Sequence, residues 1–441
     1  MFNRKRLLIL IYTHTLTARL SYTVELIFGT VLGLPYELTD DRWAYESSDL
    51  PKLAYTHEKP DTGIFLEAGS LLFETRLRED GPVRSGWYKG LPLVFAVGES
   101  SVLPYDLFST VFYVASCYEE YLPFEGDRHG RFTAEQSVLN RWKVLDRPFL
   151  HELILDFAGI LKSHVPELEF RKRAFSFLST IDIDNAFAYA HKGFVRNAGG
   201  LLKDLLSLNF RKAAERLAAN ANDAKDPYNT FDLINSLSAQ TQTALQYFVL
   251  IGDYAPYDKN PKHTNAGFRR LLRRLAESHA IGLHPSYQAY DDPERIGMEK
   301  QRLEAITGKP VTSARCHFLR VKFPETYRHF IKAGITDDYT MIYASQCGFR
   351  TGMCVPYKWF DLEKNEATSL TLHPSAVMEG TLRDYNKLSP EKAQELCLEL
   401  MRQVKKHGGE FVSIFHNDSF VPEQKEWIAV YNTILQESLK H

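Results

Sequence analysis

The feature that most constrains this sequence is a series of short apolar segments alternating with helical ones from residue 173 onward. AFSFLSTID (174–182), LQYFVLIG (245–252), AIGLH (280–284), VTSARCH (311–317), GITDD (334–338), TSLTLH (368–373) and EFVSIFH (410–416) read as strands. Helical periodicity fills the intervals near 198–220, 229–238, 266–278, 293–307, 324–333 and 389–407. Repeated β-then-α units imply a parallel sheet with helices outside it. About seven strands in about 265 residues predict closure into a distorted (β/α)7-type barrel over 171–441.

The ends of these strands carry the chemistry. The first runs into Asp182 and Asp184, the third ends at His284, the fourth at Arg315 and His317, the fifth at Asp337 and Asp338, and the last at His416. In a barrel the carboxyl ends of the strands converge on one face, so these side chains are expected in one pocket. Carboxylates and imidazoles together point to a metal-activated water with a general acid and base beside it. Asp and His donors suit zinc or a related divalent ion. Taken singly, Asp-x-Asp after a strand is usually a turn or helix cap, and a strand-end histidine is usually structural. The joint pattern carries the functional reading.

Residues 1–170 are expected to form a smaller α/β domain. LLILIY (7–12) reads as a buried strand, because its apolar run is broken by Thr13 and His14 before reaching the length of a signal peptide, and no small-residue cleavage site follows. Leu16, Leu20, Val24, Phe28 and Leu32 recur at helical spacing, and Gly33 can end that helix. Further helices are expected near 105–121 and 149–161. The charged run Asp127-Arg128-His129-Gly130-Arg131 reads as a solvated turn or an interdomain ion-pair network, with no catalytic role. Balanced charge, 53 Lys and Arg against 55 Asp and Glu, gives −2 and excludes a global basic field for nucleic acid. No segment approaches the roughly 20 apolar residues of a membrane span. Five cysteines without a Cys-x-x-Cys pair fit a reducing compartment, and a cytoplasmic location is expected.

The motifs over about 173–441 resemble those of polysaccharide deacetylases of the NodB-homology type. Ser179-Thr180-Ile181-Asp182-Ile183-Asp184 resembles the family's T-x-D-x-D motif, and Ala280-Ile281-Gly282-Leu283-His284 its strand ending in a metal-binding histidine. Arg315-Cys316-His317-Phe318 is similar to R-x-P-[YF] with histidine in place of proline. Asp338-Tyr339 and Ser413-Ile414-Phe415-His416 resemble the last two motifs. The resemblance implies Asp182 as general base, Asp184 and His284 as ligands of a divalent metal such as zinc, and His416 as general acid. It further implies that Arg315 orients Asp182, that Asp338 tunes His416, and that the Phe318 backbone helps bind an oxyanion. The implied substrate is an N-acetylated sugar or glycan. The first 170 residues lie outside the resemblance.

One departure affects the metal. Four residues after His284, where the family carries histidine or serine, this chain has Gln288, a poor ligand for a transition metal. His317, on the neighbouring strand, is the expected substitute. Tyr287 and His373 are candidate lining residues, and Trp359 is expected to pack in the core. Two other readings stand beside the deacetylase: an Asp-x-Asp glycosyltransferase, which leaves the histidines unexplained, and a glycan-binding protein that has lost the metal, which Gln288 favours.

Overall fold

The computed structural model describes residues 7–79, 81–82 and 84–440. The chain begins with β1 (Ile9–Tyr12), whose four residues are all buried. Thr17 then caps the helix Ala18–Val24, its hydroxyl accepting the Leu20 N–H at 3.1 Å. The helix continues to Leu32 and ends at Gly33, which adopts φ 57°. A Cβ there would meet the Arg171 side chain at 2.6 Å, so glycine serves both the left-handed turn and the close approach. Strands β2 (Tyr36–Thr39), β3 (Lys52–Thr56) and β4 (Ile64–Glu67) complete a four-stranded parallel sheet in the order β2-β1-β3-β4. A hairpin follows, β5 (Arg84–Tyr88) and β6 (Leu91–Val94). Buried Asp106 caps the helix Leu107–Ala115 and also accepts the Tyr55 hydroxyl and the Gly69 N–H.

The second sheet contains β7 (Ser176–Ile183), β8 (Ala244–Leu250), β9 (Ala280–His284), β10 (Ser313–Ala314), β11 (Asp337–Asp338), β12 (Tyr357–Asp361), β13 (Glu366–Leu372), β14 (Val377–Met378) and β15 (Glu410–His416). Each of the seven strands expected from the sequence contributes to it. The order is β12-β13-β11-β10-β9-β8-β7-β15-β14, parallel throughout except for the edge strand β12. Among the described residues β13 and β14 are not hydrogen-bonded to each other, so the ring expected from the strand count is not closed. It is nonetheless strongly curled. Seven interstrand spacings of about 4.8 Å would set β13 and β14 about 34 Å apart on a flat sheet. Only residues 373–376 join them, and five Cα steps reach at most about 18 Å.

The helix expected near 198–220 is two helices, Phe194–Leu206 and Phe210–Ala221, parted by Leu208 at φ 54° and capped anew by Asn209. The main apolar core runs without a break from Ile9 to Leu435, so both sheets pack into one interior. A buried bidentate pair also ties the two parts of the chain together: Arg350 Nε and Nη2 donate to the two Glu120 oxygens at 2.9 and 2.5 Å.

Candidate metal and catalytic centre

Strand register sets the heights of the site residues. Asp182 on β7 lies opposite His416 on β15, and His284 on β9 lies opposite Leu250 on β8. Asp184 sits one residue beyond the end of β7, and His317 follows β10 by three residues. Asp182, Asp184, His284, His317 and His416 all line one cavity of about 210 Å³, joined by Arg131, Cys316, Phe318 and Tyr385 among others.

Two backbone carbonyls fix the histidine rings. His284 Nδ1–H donates to Arg315 O at 2.6 Å, and His317 Nε2–H donates to Tyr257 O at 3.1 Å. In neutral histidines the opposite ring nitrogens then carry lone pairs. These two, His284 Nε2 and His317 Nδ1, face each other at 3.0 Å. Asp184 Oδ1 approaches them at 3.2 and 3.5 Å. That oxygen is buried and has no hydrogen-bond donor. With both rings neutral, three acceptor atoms lie within 4.8 Å of one another, an arrangement that a cation relieves. Without one, burial opposes the charge on His284, but Asp182 and Asp184 raise its pKa. Burial opposes the charge on Asp184, yet His317, His416 and His284 hold its carboxyl well below the usual range. Burial lowers the His317 pKa. Gln288 belongs neither to this cluster nor to the cavity wall, whereas His317 is the third member of the cluster.

Asp182 is buried beside the cluster. Arg315 Nη1 donates to its Oδ1 at 2.6 Å, while its Oδ2 lies 3.9 Å from His284 Nε2. Arg315 is itself fixed by Tyr339 O, at 3.0 Å from Nε, and by the Phe248 ring, 4.4 Å from its guanidinium carbon. His416 presents Nε2 to Asp184 Oδ2 at 3.7 Å. Its Nδ1–H donates to Glu379 Oε1 at 2.7 Å, and the same oxygen accepts the His416 backbone N–H and the Ser419 hydroxyl. Burial opposes protonation of His416, but Glu379 and Asp184 raise its pKa well above the ordinary value.

The tuning role expected for Asp338 is corrected by these contacts. Its oxygens accept from the Tyr327 hydroxyl and from the Thr340 hydroxyl and N–H, and burial pushes its pKa up to about 6. The carboxylate on His416 is Glu379, which follows the two-residue strand β14. Its signal is the same strand-end acid seen elsewhere, hidden because two residues show no periodicity. Arg131 is the second missed residue. It pairs with Asp127, as an ion-pair network would, yet it is buried in the cavity wall and its Nη1 donates to Phe318 O at 2.8 Å. Phe318 and Leu319 both adopt left-handed φ, 58° and 55°, and Arg131 braces that turn.

Two lining candidates are placed elsewhere. His373 bridges Asp337 and Glu410, and Tyr287 stacks under Arg320 at 3.8 Å and against Tyr257. Trp359 is fully buried against Tyr327, as expected of a core residue.

Comparison with known proteins gives the following. Residues 9–166 match the model of a family of unknown function (DUF7033). No curated protein matches the chain. Among solved structures, it is similar to a Mycobacterium smegmatis protein provisionally described as a polysaccharide deacetylase: 14% identity, 60% of this chain and 84% of that one covered, TM-score 0.40. It is also similar to a polysaccharide deacetylase from Bacillus cereus: 14% identity, 60% and 86% covered, TM-score 0.28. A mutant CE4-family pseudoenzyme with restored enzymatic activity gives 11% identity, 59% and 63% covered, and TM-score 0.26.

Proposed function

We propose that the chain is a metal-dependent hydrolase that removes an acetyl or other acyl group from an amino sugar or glycan precursor. The observation that carries this reading is the convergence of Asp184 Oδ1, a buried oxygen without a hydrogen-bond donor, with His284 Nε2 and His317 Nδ1, beside the Asp182 carboxylate and the His416 imidazole. The donor set fits a divalent ion of the zinc type, with one carboxylate and two imidazoles as ligands. When bound, such an ion supplies Lewis-acid polarisation of a carbonyl oxygen and acidifies a water.

The chain's own groups do the rest. Arg315 holds Asp182 Oδ1, which leaves Oδ2 turned toward the cluster to accept a proton from the attacking water. Glu379 holds His416 on its Nδ1 side and keeps the ring charged, so Nε2–H faces the cavity to protonate the departing amine. Arg131 and the Phe318–Leu319 turn form part of the cavity wall. A cavity of about 210 Å³ is smaller than the roughly 300–1,000 Å³ of pockets that enclose drug-sized ligands. It matches an acyl group with the adjoining ring edge rather than a whole oligosaccharide.

The test is the metal content of the purified protein, followed by acetate release from N-acetylated sugars with Asp182→Asn as control. Stoichiometric zinc and release abolished by the substitution are expected. Release that survives Asp182→Asn would sink the mechanism, nucleotide-sugar hydrolysis would favour a glycosyltransferase, and glycan binding without metal would favour a binding protein.

A further inference from the structure

The helical pair inserted between β7 and β8 is inverted relative to an ordinary surface hairpin. Its two helices bury only Asp204, Ala213 and Ala219, while Phe194, Val195, Leu202, Leu206, Leu208 and Phe210 are 59–87% exposed. A soluble helix turns its large apolar side chains to the core. At 100° per residue, positions 194, 195, 202, 205 and 206 share one arc of about 120°, and Arg196 and Lys203 fall about 60–80° beyond its edge. Over 192–217 six cations (Lys192, Arg196, Lys203, Arg211, Lys212, Arg216) face two acids (Asp204, Glu215), so the segment carries 6 − 2 = +4 in a chain of −2. Exposed Tyr254, on the loop after β8, lies under Arg196 at 4.3 Å and extends the patch.

We propose that this hairpin is a monotopic contact with an anionic bilayer surface. Its Leu and Phe side chains enter the boundary between head groups and acyl chains, and its Lys and Arg heads meet the phosphates. No helix among the described residues is long and apolar enough to cross a membrane, so the contact lies in the interface plane. A two-fold pairing of two chains through the same patch would set +4 against +4, which disfavours a second copy as occupant. The hairpin leaves the sheet at the end of β7 that carries Asp184. The Asp226 carboxylate accepts the N–H groups of Ala188, Tyr189 and Ala190 at its root, and Asn417, next to His416, donates to Asn185 O and Tyr228 O. The hairpin is thus rooted at the strand ends that carry the site.

Flotation of the full chain with phosphatidylcholine–phosphatidylglycerol vesicles, against pure phosphatidylcholine, tests this. Partition into the anionic vesicles is expected to exceed that into neutral ones by about tenfold or more and to weaken with salt. The triple variant Leu202→Ser/Leu206→Ser/Phe210→Ser should lose it by a similar factor, with unchanged circular dichroism. Lys203→Glu/Lys212→Glu, which changes the charge of two exposed lysines, should abolish the anionic preference even if the triple variant misfolds. An unaltered chain that does not float overturns the proposal. So does a dimer in light scattering that the triple variant dissociates while vesicles remain unbound. Neither readout involves substrate or metal, so failure here leaves the hydrolase reading intact.

Discussion

Replacing Arg315 by methionine tests the part of the site on which orientation of the base depends. Arg315 is wholly buried and Asp182 is 2% exposed, with 2.6 Å between Nη1 and Oδ1. Methionine keeps most of the apolar stem but removes the guanidinium over Phe248 and its charge, leaving the Asp182 carboxylate buried without its partner. Breaking a buried pair in this way costs about 3–5 kcal/mol. That is roughly two to nearly four powers of ten in the folded-to-unfolded ratio, against a total stability of about 5–15 kcal/mol. The assay is urea unfolding at neutral pH, followed by both tryptophan fluorescence and far-UV circular dichroism, since coincident transitions are needed before a free energy is assigned. Asp182→Asn and the double variant complete a cycle with an expected coupling of about 2–3 kcal/mol. A loss under about 1 kcal/mol for Arg315→Met, with coupling near zero, would refute the reasoning. Asp182 would then be held by something other than Arg315.

Three further outcomes are expected. His317→Ala should lower zinc affinity by at least about tenfold in calorimetry while Gln288→Ala leaves it unchanged; the reverse result would return the third position to Gln288. Glu379→Gln removes the charge that raises the His416 pKa, so the alkaline limb of the pH–rate profile should move to lower pH and kcat should fall; an unmoved limb would remove His416 as the acid. Burial pushes the Glu299 pKa up to about 7 from 4.5. A raised folded pKa means that its stabilising contribution is complete below about pH 4.5 and is lost as pH rises through 7, about 3 kcal/mol in all. Glu299→Gln should flatten the stability curve across that window, and parallel curves for the two proteins would contradict the assignment.

The sequence by itself determined seven strands of the second sheet and the residues at their ends. The alternation of apolar and helical periods placed each of the seven expected strands in the second sheet, because a parallel strand buried on both faces must be continuously apolar and short. The same reasoning brought Asp182, Asp184, His284, His317 and His416 together, since the carboxyl ends of neighbouring parallel strands meet on one face. What only the tertiary structure decided depends on contacts between residues distant in the chain. Glu379 on His416, Arg131 in the cavity wall and the open seam between β13 and β14 among the described residues leave no local pattern, because each concerns segments that periodicity treats separately. The ring nitrogen that His317 offers was likewise decided by the Tyr257 carbonyl, sixty residues earlier, which takes Nε2 and leaves Nδ1 for the cluster. Local periodicity carries the fold, because each element answers to its own burial. The finished site answers to the packing of the whole chain.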